Sequence, residues 1–245
     1  MKKSDFELYA TKNTVVVVKG KVKRQILRLL QERSLGFDEI VEATHKAKST
    51  ISKHLQELEE EGLIASFEDR ADRRKKHYAL KSRLVGISAE GSPSFDRKTI
   101  EDVASALGDP AAFINAVMRS IRYKFDSLGM DVAPTLYQLG TEIGTVIARD
   151  MRASDLKGVI EEVKRFWESH DLGNVEVLSE KPLTFIVTNC YECSDMPNVG
   201  RTLCAFDEGI VSAILQRRLG QPYRAKEIEC AGTGHDHCKF LVTPR

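Results

Sequence analysis

Four residues near the C-terminal end could hold a metal ion: Cys204, Glu227, Cys230 and Cys238. Three thiols and a carboxylate are a donor set that suits a tetrahedral Zn2+. Glu227 and Cys230 stand three residues apart at the end of a predicted strand. Gly232 and Gly234 then let the chain turn sharply and bring Cys238 back. Cys204 has to arrive from the start of a helix. Glu229 competes for the carboxylate position. His235 and His237 flank Cys238 and are further candidates, although turn or supporting positions suit them better. The competing reading makes these cysteines buried small hydrophobes. Cys190-Tyr-Glu-Cys193 is a separate close pair, either half of a metal site or a redox dithiol. No obvious helix follows it, so activation by a helix end is not evident. A second allocation joins Cys190 and Cys193 to Cys230 and Cys238 and leaves Cys204 as a free thiol.

The elements that must position these residues are read from charge and periodicity. The chain has 245 residues, 42% hydrophobic and 30% charged, the composition of a globular protein of one large domain or two ordinary ones. No apolar run approaches a membrane span, and the first residues lack the apolar core of a signal peptide. A cytoplasmic location is expected, where cysteines serve metals or redox chemistry more often than structural disulfides. Residues 1–90 carry 19 Lys/Arg against 14 Asp/Glu, and residues 91–245 carry 18 against 22. A basic module is therefore joined to an acidic one, and all five cysteines lie in the acidic part.

In the basic half, Val15–Val18 reads as a short strand or the lead-in to a helix. A helix from Lys21 places Val22, Ile26, Leu29 and Leu30 on one face. A short second helix buries Phe37, Ile40 and Val41. A third begins at Ser49 as N-cap, turns Ile51, Leu55 and Leu58 inward and ends before Gly62. Two strands, 63–67 and 77–80, flank a polar loop. With the apolar face buried, Lys48, Ser49, Thr50, Ser52 and Lys53 project near a helix N-terminus, where hydroxyls and amines reach base edges or phosphates. Arg70, Arg73, Arg74, Lys75 and Lys76 give the loop a fixed positive charge that suits a DNA backbone. A solvated charged loop is the bland alternative. The domains expected are residues 1–85, a linker at 86–98 rich in small and breaker residues, and residues 99–245.

In the acidic half, the pattern predicts helices over 99–107, from Pro110 to about Leu128, from Pro134 to Ala148, over 156–170 and from Phe206. Phe113, Val117, Ile121 and Phe125 make an apolar stripe suited to a core or a dimer seam. Gly140 and Gly144 share one helix face, which points to close helix packing. Trp167 and His170 could line a ligand cavity, or be a core anchor and a helix-end histidine. Strands are predicted at 175–178, 183–187, 223–230 and 237–242. The fold class expected is α+β, a winged helix-turn-helix followed by a helical layer on an antiparallel sheet with a zinc site.

Ser49-Thr-Ile-Ser-Lys-His-Leu-Gln-Glu-Leu-Glu-Glu-Glu-Gly-Leu-Ile64 resembles the winged helix-turn-helix of the ArsR and MarR groups. The order Cys, Glu-x-x-Cys, Gly-x-x-x-Cys-x-Phe resembles the end of the 4-vinyl-reductase-type domain, and Leu136-Tyr-x-x-Gly-x-x-x-Gly144 extends that resemblance. By it, Cys204, Glu227, Cys230 and Cys238 fall on zinc-ligand positions. The combination resembles archaeal regulators of the MsvR kind, which implies thiol-dependent DNA binding with Cys190 and Cys193 as switch thiols. Phenol sensors of the domain family hold their ligand with His and Trp at positions that are not His or Trp here. The function expected is a homodimeric transcription regulator that binds a palindromic site in double-stranded DNA and senses redox state. Sensing of a small apolar effector is the alternative. A reductase is the weakest reading, because there is no nucleotide-binding glycine fingerprint and the ligand set leaves no open metal position.

Overall fold

The computed structural model describes residues 5–68, 75–91 and 94–244. The chain divides into two compact units, residues 2–89 and 90–245. In the first, strands β1 (Phe6–Ala10) and β2 (Val15–Lys19) form a hairpin ahead of helix α1 (Lys21–Glu32). Strand β3 (Leu35–Gly36), α2 (Phe37–Thr44) and α3 (Lys48–Glu60) follow, then the antiparallel wing strands β4 (Ile64–Glu68) and β5 (Lys76–Leu80). Strand β6 (Arg83–Ser88) returns to pair with β1. The valine run is thus a strand. The expected linker starts too early, because residues 86–88 lie in β6, where Gly86 sits opposite Leu8. Ile26, Leu27, Ile40, Ile51, Leu55, Leu58 and Leu63 close an apolar core from all three helices and the wing. The buried carboxylate Glu7 is met by Arg28 and by the Tyr9 hydroxyl, which donates to it at 2.9 Å.

The second unit opens with α4 (Ser94–Ser105) and α5 (Pro110–Ser127). Asp109 caps α5 by accepting from the backbone of Ala111 and Ala112, and Pro110 occupies its first turn. The two-residue strand β7 (Met130–Asp131) leads to α6 (Ala133–Ile147), and α7 (Leu156–Ser169) follows. Strands β8 (Asn174–Glu180) and β9 (Leu183–Thr188), helix α8 (Ala205–Leu219), and strands β10 (Tyr223–Glu229) and β11 (Cys238–Pro244) complete the unit. The sheet is antiparallel in the order β10-β11-β9-β8, with α7 and α8 packed on it. The fold is therefore the expected α+β arrangement of a helical layer on an antiparallel sheet.

The glycines of α6 explain how that layer closes. A Cβ on Gly140 would stand 2.1 Å from the Phe206 carbonyl oxygen, and one on Gly144 would stand 2.4 Å from that of Ile210. On α8, Gly209 meets the Tyr137 carbonyl in the same way. Only bare backbones fit at this crossing. No helix among the described residues is long and apolar enough to cross a membrane.

Candidate functional site

All five cysteines are free thiols, and all five are buried. Four of them, Cys190, Cys193, Cys204 and Cys238, place their sulfurs within 4.8 Å of one another. The Cys190–Cys204 and Cys204–Cys238 separations are 3.6 and 3.7 Å, and Cys193–Cys238 is 3.1 Å. Sulfurs bound at about 2.3 Å to one tetrahedral ion stand roughly 3.8 Å apart, so two of these three spacings match a shared ion closely. Cys193 also groups with Glu227 and Cys230.

Each thiol is delivered by a particular piece of backbone. Cys238 opens β11, where it faces Val187 of β9. Cys190 follows the end of β9 by two residues, so that register carries the Cys-x-x-Cys segment over Cys238. The segment is a tight turn, with the Ser194 amide donating to the Cys190 carbonyl at 2.9 Å and the Met196 amide to Cys193 at 3.1 Å. Cys204 precedes the first turn of α8, as expected of a residue arriving from a helix start. The loop after β10 packs close to it: a Cβ on Gly232 would lie 2.4 Å from the Arg201 carbonyl oxygen.

The sequence-derived allocation of ligands is corrected by this geometry. Cys204, Glu227, Cys230 and Cys238 do not form one grouping. Cys204 and Cys238 belong with Cys190 and Cys193, while Glu227 and Cys230 join Cys193 beside them. The cause is the β9–β11 register, which makes the Cys-x-x-Cys pair part of the centre instead of a separate switch. Glu229 is not a ligand candidate here. A bulge in β10 separates it from Glu227 and sends it to the surface, where Lys239 and His237 engage it at 3.2 Å. His235 is exposed and His237 is half-buried at the rim.

The electrostatics of the centre fit a cation. Glu227 Oε2 accepts from the amides of Leu203 and Cys204 at 3.0 and 2.8 Å, while its buried Oε1 makes no hydrogen bond of ordinary geometry. Glu192 and Asp207, which group with Cys204, are buried as well. Burial pushes the Glu192 carboxyl up to about 7, even with the Arg122 guanidinium beside it. Burial also raises Asp207 and Glu227. Among the thiols, Cys193 is held far below the usual range, first by its hydrogen bond with Cys190 and then by those with Cys204, Cys230 and Cys238. Cys190 is pushed up to about 11, first by its bond to Cys193. A buried array of sulfur and carboxylate donors with a single neighbouring arginine is the environment that a soft or borderline cation completes. These buried cysteines can hold a metal ion. A cleft of about 560 Å³ opens over them, lined by Cys190, Cys193 and Cys238 together with Asn198, His235 and His237.

Glu192, Asp207 and Arg122 escaped the reading of the sequence. Glu192 lies inside the Cys-x-x-Cys and was legible there as a third donor. Asp207 reads as an ordinary acid of a helix first turn, and nothing local marks Arg122. Trp167 is a buried core anchor. His170 stacks on Phe166 at 4.1 Å and meets its carbonyl at the end of α7.

In the N-terminal unit, Ile51, Leu55 and Leu58 of α3 are fully buried. Lys48, Ser49, Ser52 and Lys53 are exposed on the helix and Thr50 is half-buried. Ala47, with extended backbone, holds the N-cap position, so Ser49 is a residue of the first turn and not the cap. Lys48 reaches Asp38 at 2.8 Å, and Lys53 lies 3.9 Å from Glu57. Such exposed pairs are worth under about 1 kcal/mol, so either lysine is readily released to a phosphate. Lys75 and Lys76 are exposed at the start of β5, while Arg70, Arg73 and Arg74 lie outside the described residues.

A helix-turn-helix head followed by a sheet-and-helix unit with a buried thiol centre defines a class, the DNA-binding regulator with an attached sensory domain. Comparison with known proteins agrees. Residues 20–66 match the bacterial regulatory protein, arsR family, and residues 183–244 match the 4-vinyl-reductase domain. Among relatives in Methanocaldococcus jannaschii, the uncharacterized protein MJ0745 is 32% identical over 133 residues, 54% of this chain and 67% of its own. A second, MJ0150, is 28% identical over 129 residues, 52% of this chain and 73% of its own. Two solved structures are similar more loosely. A vinyl-4-reductase family protein from the same organism is 19% identical, covers 61% of this chain and 94% of its own, and has a TM-score of 0.40. The phenol-responsive sensory domain of the transcription activator PoxR is 18% identical, covers 62% and 91%, and has a TM-score of 0.41. Neither superposes well enough to carry a function across. The chain belongs to the transcription regulators that join an arsR-type helix-turn-helix to a 4-vinyl-reductase domain, and is a regulator rather than an enzyme.

Proposed function

We propose that this regulator is a cytoplasmic homodimer that grips a palindromic site in duplex DNA and answers the redox state of its thiols. The N-terminal contacts are Lys48, Ser49, Thr50, Ser52 and Lys53 on α3, with Arg70, Arg73, Arg74, Lys75 and Lys76 of the wing on the backbone. The C-terminal unit binds Zn2+ through Cys190, Cys193, Cys204 and Cys238, with Glu227 and Cys230 as the adjoining donors. The observation that carries this reading is the convergence of all five buried cysteines on one centre beneath a cleft. Bound zinc supplies the positive charge that keeps clustered thiolates ionised. A peroxide entering the cleft takes two electrons and two protons from a pair of thiols and leaves as two waters while the sulfurs join. Cys193 is the first thiol to react, because it ionises most readily and has Cys238 at 3.1 Å as partner. Ligands consumed by that bond release the ion and the loop they held.

The test is the affinity for a duplex that the reduced protein selects from a random pool. Oxidation should change it by tenfold or more (about 1.4 kcal/mol). Cys190→Ala and Cys193→Ala should remove that response. Equal affinity in reduced and oxidised protein overturns the redox reading in favour of a small apolar effector.

A further inference from the structure

Helix α5 wears its apolar side outward. Ile114, Met118, Ile121, Phe125 and Leu128 at its end lie between 42% and 72% exposed. Their spacing of four, three, four and three residues is the heptad seam of paired helices. The stripe extends the one read from the sequence and shares Ile121 and Phe125 with it. The residues that α5 buries are Ala116, Tyr123 and Asp126, on its far side.

The helix cannot roll to hide this stripe in its own core, because its inner face is fastened to the loop that carries Cys190 and Cys193. Arg119 donates to the Ser194 carbonyl at 2.7 Å, the Tyr123 hydroxyl donates to that of Glu192 at 2.8 Å, and Arg122 pairs with the Glu192 carboxylate. Phe95 stacks on Tyr123 at 4.6 Å and closes the same side. A row of five large apolar side chains, each presenting on the order of 100 Å² or more to water, exceeds what scattered surface residues account for. It supplies most of the roughly 800 Å² that one partner contributes to a standard interface.

We propose that the outer face of α5 is the seam through which two copies of this chain pair about a two-fold axis. This rests on the homodimer of the proposed function and names the surface that makes it. The stripe is self-complementary in the way a two-fold contact requires, and its middle residue, Ile121, falls beside the axis facing its own equivalent. A two-fold pair also matches what a helix-turn-helix needs in order to read two half-sites of a palindrome.

The experiment is sedimentation equilibrium on the full chain, reduced and metal-replete, at micromolar concentration. The wild type should sediment at twice the 27.5 kDa of one chain. Ile121→Glu and Ile121→Lys should each be monomeric, with the dimer weakened by at least about a hundredfold. Mixed in equal amounts they should recover the dimer, a result that a folding defect in either variant cannot imitate. A monomeric wild type overturns the seam and the homodimer together. A dimer that survives both substitutions, or that fails to return in the mixture, overturns the seam while leaving the homodimer in place.

Discussion

The two units of this chain handle buried charge in opposite ways. In the N-terminal unit the one buried acid of the β1 strand, Glu7, is answered by protein groups, the Arg28 guanidinium and the Tyr9 hydroxyl, inside a core of ordinary apolar side chains. In the C-terminal unit the core contains Glu192, Asp207, Glu227 and five thiols, with Arg122 as the neighbouring cation. Burial raises all three of those carboxyls, which is the mark of negative charge that the protein alone does not balance. One unit is complete as a folded polypeptide, and the other is built around an ion. That division separates the part that grips DNA from the part whose structure can be altered by chemistry.

Removing metal should break the comparison most visibly. Chelation under reducing conditions should lower the melting temperature of the C-terminal unit by roughly 10–20 °C, with the N-terminal transition unmoved, as calorimetry would show. The converse perturbation is Leu55→Ala in the recognition helix. It should cost the N-terminal unit about 3 kcal/mol in denaturant unfolding and weaken DNA binding, with no change in metal content. The smallest effect is expected from Lys75→Ala with Lys76→Ala. Stability should stay within about 0.5 kcal/mol, and the log–log slope of affinity against salt should become less steep by roughly 0.9 for each phosphate no longer neutralised.

The N-terminal unit was legible in the sequence to the extent that its signals are local. Ile51, Leu55 and Leu58 repeat at helical spacing, Gly62 ends the helix, and the wing is marked by its charge. Strands β1 and β6 were not read, because each is short and finds its partner some eighty residues away, and Gly86 looks like a breaker until it is paired with Leu8. In the C-terminal unit the Gly140 and Gly144 spacing announced the tight crossing of α6 on α8. The cysteines announced a metal-binding chemistry, but their grouping was hidden. It depends on Cys238 standing opposite Val187, a register that no spacing along the chain encodes. The apolar stripe of α5 was visible as a periodicity. Its outward orientation follows from the bonds of Arg119, Arg122 and Tyr123 to the cysteine loop, which only the folded chain reveals.

The account turns on a metal ion bound at the shared thiol centre, and the most direct measurement is metal content per chain by mass spectrometry in the wild type and in Cys193→Ala. The wild type, purified under reducing conditions, should carry about one zinc per chain, and Cys193→Ala should carry almost none while its N-terminal unit still melts as in the wild type. A metal-free wild type, or a Cys193→Ala protein that keeps its full zinc content, would contradict it.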